Sequence, residues 1–107
     1  MIVLALLLQA AAPDVLEHHV WGAGGESCRM WTDAQRRGPA DSKRAAYTTW
    51  LMGFVTAANM ARVGDGYPDF DADAERMVGW VDDHCRANPT ETIEIAGLYL
   101  TLELSGF

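Results

Sequence analysis

Positive charge is scarce in this chain: eight Lys and Arg, with Lys43 the only lysine, stand against fifteen Asp and Glu, giving a formal net charge of −7. Binding a phosphate backbone needs a cationic stripe or patch. The only adjacent basic pairs, Arg36-Arg37 and Lys43-Arg44, read instead as solvated residues at helix ends, so nucleic acid is excluded as a partner. Long apolar runs are also lacking. A membrane span needs roughly 20 apolar residues, and the stretch between Arg44 and Arg62 is interrupted by Thr48, Thr49 and Asn59. There is no G-x-S-x-G, P-loop or G-x-G-x-x-G signature, and no carboxylate pair on an apolar face to serve as acid and base. The chain therefore reads as non-enzymatic and free of cofactors.

What is present is a globular composition, 50% hydrophobic and 21% charged, in 107 residues, which fits one domain. The opening MIVLALLLQAAA, residues 1–12, is an apolar run closed by small residues, with Ala10 and Ala12 placed as an A-x-A cleavage signal requires. It reads as a secretory signal, although no Lys or Arg precedes it and Pro13 follows the expected cut. Cleavage near Ala23 to Gly25, or an N-terminal helix that is buried or anchoring, are the alternatives. Residues 13–26 show no sustained period and end in a Gly-rich stretch, as a flexible lead-in would, and His18 and His19 fall in this tail. Two cysteines in a small exported domain imply one disulfide, Cys28 to Cys85. Closing a loop of that length is worth about 4 kcal/mol in the chain-entropy model.

Apolar periodicity predicts four helices in a helical domain spanning 27–107. The first covers Ser27 to Arg37, with Cys28, Trp31 and Ala34 or Gln35 on one face and Gly38-Pro39 as its stop. The second follows Asp41 and runs to Val63, with Tyr47, Trp50, Leu51, Phe54, Val55 and Ala58 on a broad apolar face. Gly53, with Ala46, Ala57 and Ala61, makes a small-residue stripe that would let another helix approach. After the turn residues 64–68, a third helix is capped at Asp71 or Asp73, and Met77, Val78, Trp80, Val81, His84 and Cys85 share its inner side. Asn88, Pro89 and Glu91 then read as N-cap, first helical residue and capping-box partner of a fourth helix. Its expected inner stripe is Ile95, Leu98, Tyr99 and Leu102.

Two stretches tempt a chemical reading. In WVDDHCRANP, residues 80–89, an imidazole adjoins a thiol, but neighbours on a helix point about 100° apart, so His84 cannot serve Cys85 as a base through adjacency. Asp82 and Arg86 instead have the i, i+4 spacing of a surface ion pair. A disulfide is favoured there over a metal site or a catalytic thiol. In DFDADAE, residues 69–75, Asp69, Asp71 and Asp73 match the first ligand positions of an EF-hand loop. Ala74 occupies the turn glycine's place and Trp80 that of the bidentate Glu, so a solvated, helix-capping acidic turn is the better reading and no metal is expected. Trp31, Trp50 and Trp80, one per helix, read as core.

The spacing of Cys28, then Trp50, Gly53, Phe54 and Asn59 (W-x-x-G-F-x-x-x-x-N), then Trp80, Cys85, Asn88 and Pro89 (W-x-x-x-x-C-x-x-N-P) resembles the small exported proteobacterial proteins related to the acid-stress chaperones HdeA and HdeB. The resemblance covers about residues 27 to 104. It implies an all-α, single-disulfide periplasmic domain, possible as a homodimer, that opens in acid to hold unfolded clients, with Cys28 and Cys85 keeping the acid state from unfolding completely. At about pH 2 carboxylates are protonated, leaving 11 positive charges from Lys, Arg and His, and such repulsion favours opening. A second likeness is to exported immunity proteins that neutralise secreted cell-wall amidases. It implies a rigid acidic surface, the 65–75 loop, plugging a basic cleft. Either way the expected partner is a protein.

Overall fold

Each α-helix of the described residues starts where a side-chain oxygen accepts one of the amides that a helix leaves unpaired. The computed structural model describes residues 18–106, and the predicted signal peptide, 1–12, lies outside them. Helix α1 spans Cys28–Arg37, capped by Ser27 through the Met30 amide. Helix α2 spans Ser42–Gly64, and Asp41 accepts from the Arg44 amide at 3.0 Å. Helix α3 spans Ala74–Ala87, and Asp73, one of the two expected caps, accepts from the Arg76 amide at 2.8 Å. Helix α4 spans Ile93–Leu104 and is capped by Thr92 through the Ile95 amide. The described residues contain no β-strand, only an isolated bridge between Ser27 and Thr92.

Cys28 and Cys85 form the expected disulfide, with Cα atoms 4.7 Å apart. It joins the first turn of α1 to the last of α3, and three backbone hydrogen bonds sew the same place to the α3–α4 connection. The Cys28 amide donates to the Glu91 carbonyl at 2.7 Å, the Arg29 amide to that of Pro89 at 3.1 Å, and the Ile93 amide to that of Glu26 at 2.9 Å. Orphan amides of two helix starts are thereby satisfied by neighbouring chain rather than by water.

Around this junction the core is built from the predicted faces of three helices. Cys28, Trp31 and Ala34 come from α1, Tyr47, Leu51 and Val55 from α2, and Met77, Val81 and Cys85 from α3. Trp50, Phe54 and Trp80 are half-buried at its margin, so of the three expected core tryptophans only Trp31 is fully enclosed.

The fourth helix departs from expectation twice. Its start lies at Thr92 and Ile93, not at Asn88 and Pro89. Asn88 instead closes α3, its Nδ2 donating to the His84 carbonyl at 2.9 Å and its amide to that of Cys85. Its face is also turned: Ile93, Ala96, Gly97 and Leu100 are buried, whereas Leu98, Tyr99 and Leu102 of the expected inner stripe are 46%, 48% and 41% exposed. The helix is apolar nearly all round, so its periodicity selects no side. Packing decides: a Cβ at Gly97 would lie 3.1 Å from the Phe54 ring, so this small face is where α4 meets α2.

Two further corrections concern glycines. The stripe of Ala46, Gly53, Ala57 and Ala61 faces solvent, and a Cβ at Gly53 would meet nothing within 4 Å. The lead-in is built into the fold over its second half. Residues Gly22–Gly25 form a 3-10 turn on α2, with Gly24 buried beneath Trp50, whose Nε1 donates to the Trp21 carbonyl at 2.9 Å. A Cβ at Gly24 would fall 2.0 Å from that indole. Gly24→Ala is therefore expected to lower stability by about 1–3 kcal/mol through overpacking, and Gly53→Ala to raise it by up to about 1 kcal/mol, as read from urea-denaturation midpoints.

Candidate functional site: a groove between helices α2 and α3

Helices α2 and α3 scarcely touch. Each packs on α1 and α4 instead, which leaves a groove between them. Two hollows of about 630 and 300 Å³ meet in it at Met52. The larger runs from Pro39 past Ala45 and Thr49 on α2, facing Val78 and Gly79 on α3. The smaller continues under the α2–α3 loop between Val55, Phe70 and Met77. The walls thus alternate small side chains with two flexible methionines, a composition that adapts to varied apolar partners. Acids outnumber bases along it: Glu75, Asp82 and Asp69 line the hollows against Arg44.

Asp82 does not pair with Arg86, as its spacing suggested. Its Oδ1 accepts from Nε1 of the buried Trp31 at 2.7 Å, while Arg86 pairs with Asp83 at the surface. An indole N–H enclosed in a core needs an acceptor, and Asp82 is positioned across α1 and α3 to supply it. Sequence spacing alone favoured the i, i+4 pair because the tertiary partner lies 51 positions away.

The acidic loop that closes the groove is fastened by the end of α2. Asn59 uses both ends of its amide: Nδ2 donates to Asp69 Oδ1 at 2.8 Å, and Oδ1 accepts from the Phe70 amide at 2.9 Å. Arg62 donates from Nε to the Pro68 carbonyl at 2.8 Å, and its guanidinium lies 5.2 Å from the ring centroids of both Tyr67 and Phe70. Asp73 is spent on the α3 cap and Asp71 presents its carbonyl to Arg76. The three aspartates of the EF-hand-like spacing are therefore not brought together, and among the described residues no three His, Cys, Asp or Glu side chains converge as metal ligands.

Two of the three histidines, His84 and His18, meet carboxylates. His84 Nε2 lies 2.7 Å from Glu91 Oε1, and its ring stacks on Trp80 with centroids 5.0 Å apart and lies 5.2 Å from the tilted ring of Tyr99. His18 Nε2 lies 2.8 Å from Glu94 Oε2, fastening the segment before the 3-10 turn to the first turn of α4. Carboxylates thus hold the ends of several elements. At the start of α2 the Arg37 guanidinium, then the Arg44 amide, keep the Asp41 carboxyl below the usual carboxylate range, and the same bond raises Arg37. Burial pushes the Tyr47 phenol up.

Compared with models of protein families, with curated proteins and with solved structures, the chain matches none of them. The resemblance to acid-stress chaperones has no support from these comparisons. No helix of the described residues is long and apolar enough to cross a membrane.

Asp82→Ala, which leaves the Trp31 indole N–H buried without an acceptor, is expected to cost about 1–3 kcal/mol. Arg86→Ala, at an exposed pair, should stay within about 0.5 kcal/mol. Urea-denaturation midpoints distinguish this from an Asp82–Arg86 pair, for which the two substitutions would cost the same.

Proposed function

We propose that the chain is an exported, non-enzymatic protein-binding domain of the periplasm, whose helices come apart in acid to hold unfolded client proteins. The observation that carries this reading is the number of structural fastenings that depend on carboxylates. Asp41 and Asp73 cap helices, Asp82 holds Trp31, and Glu91 and Glu94 hold His84 and His18. At about pH 2 carboxylates are neutral, so these fastenings weaken together while 11 positive charges repel one another. The disulfide keeps α1 and α3 joined as α2 loosens, and the faces then uncovered, Tyr47, Leu51 and Val55, are apolar. A homodimer that closes at neutral pH has a surface available in Leu98, Tyr99 and Leu102.

One observation favours a second reading, an inhibitor of a secreted cell-wall hydrolase: the acidic loop is held in shape by Asn59 and Arg62. Such a rigid acidic projection suits a basic cleft, and an inhibitor works without opening.

The sign of the pH dependence follows from Asp41. A carboxyl held below its unfolded value, near 3.9, contributes stability that is present above that pH and lost as pH falls through its lower folded value. Titrated from pH 7 to pH 2, the oxidised protein is expected to lose near-ultraviolet circular dichroism reversibly below about pH 4, to take up an apolar dye, and to suppress client aggregation there. Asp41→Asn retains a capping side chain but not the ion pair, so its acid transition should be shallower. A protein that stays folded and dye-silent to pH 2 contradicts the chaperone reading and leaves the inhibitor.

A further inference from the structure

We infer that the groove between α2 and α3 is a preformed seat for one amphipathic helix of a partner protein, a helix whose apolar ridge is flanked by Lys and Arg. The inference rests on the protein-binding reading and names the partner's chemistry at neutral pH, before any acid opening.

Three features of the groove select that occupant. The first is shape. From Arg44 to Asn59 the α2 wall extends about 22 Å at 1.5 Å per residue, the length of about four helical turns. Ala45 and Gly79 on opposite walls let a third backbone come close, and with no exposed sheet edge among the described residues a strand has nothing to extend. The second is the floor. Met52, half-buried where the two hollows meet, and Val78 and Phe70 on either side of it present a broken apolar line rather than a flat patch. Such a line receives side chains spaced at i, i+3 or i+4 and i+7, and the methionine can adjust to their size.

The third feature is charge. Glu75 on the α3 wall is exposed and has no cationic partner among the described residues. Asp82 gives one carboxylate oxygen to the Trp31 indole, and Asp69 lies at the groove's other end. Against these only Arg44 is basic, in a chain whose net charge is −7. An acidic ligand helix would be repelled at every turn, whereas a basic-flanked one gains attraction at the rim and is steered to it from a distance. The exposed face of α4 offers less selection, because beside Leu98, Tyr99 and Leu102 it exposes a single carboxylate, Glu103.

The test uses two fluorescein-labelled 14-residue peptides with leucines at i, i+3, i+4 and i+7 spacing, one bearing lysines on its other face and one glutamates. Anisotropy at pH 7 with the oxidised protein is expected to show the lysine peptide bound at least about tenfold more tightly, and less so as salt rises. Val78→Glu separates docking from mere charge attraction. It adds a negative charge but places it on the apolar floor, so groove docking is lost, whereas unspecific attraction would strengthen. Thr49→Trp fills the groove from an exposed position without touching the core, and should abolish binding with helical circular dichroism unchanged. Equal binding of both peptides, undiminished binding by Val78→Glu, or loss of binding on Leu98→Ser in place of the groove variants overturns the inference. If the unaltered protein ignores the lysine peptide yet still holds denatured clients in acid, the groove assignment falls alone. If it does neither, the protein-binding reading falls with it.

Discussion

Cys28 and Cys85 fix the start of α1 to the end of α3 at the point where the chain turns into α4, and most of the architecture is arranged around that junction. The bond closes a loop worth about 4 kcal/mol of denatured-state entropy, a large share of what a domain this small can muster. Its position matters as much as its strength. The amides of Cys28, Arg29 and Ile93 find carbonyl acceptors within a few residues of the same place. Covalent and hydrogen-bonded constraints thereby coincide, and α1, α3 and the start of α4 behave as one unit. Helix α2 is joined to that unit by packing and by side-chain fastenings, without a covalent tie.

This unequal attachment links structure to function. With no covalent tie and with its start held by the Asp41 carboxylate, α2 is the element that acid can release, while the disulfide keeps α1 and α3 together when their own carboxylate contacts weaken. The same arrangement explains the groove: α2 reaches α3 only through the α2–α3 loop and the floor residues, so a partner has room on the side where the two helices fail to meet. Asn59 and Arg62 then set the shape of the loop that closes one end.

How much was legible beforehand varies with the strength of the local signal. The disulfide, the three amphipathic helices and the cap at Asp73 are written in residue type and spacing. The buried faces of α1, α2 and α3 follow from periods that a solvated side interrupts. Helix α4 carries no such interruption, and its inward face is decided by Gly97 against Phe54, a contact between residues 43 positions apart. Asn88-Pro89 resembled a helix start because a capping box has the same letters, but the stretch closes into a turn, Glu91 amide to Asn88 carbonyl, bonded to the start of α1, and the helix begins only after Thr92. Gly53 drew attention as a packing glycine, whereas Gly24, in a stretch read as a tail, is the one pressed against Trp50. The groove itself had no local signature, since its residues come from α2, α3 and the loop, and Asp82's role depends on an indole on α1.

The central claim is that acid separates α2 from a disulfide-stapled unit of α1, α3 and the start of α4. Residue-resolved amide hydrogen exchange on the oxidised protein, taken at steps from pH 7 to pH 2.5 and corrected for intrinsic rates, tests it directly. The account predicts that protection falls first in α2, beginning at the Arg44 and Ala45 amides beside Asp41, while those of Cys28, Arg29 and Ile93 keep theirs. Simultaneous loss throughout the chain, or loss at the Cys28 junction before α2, would contradict it.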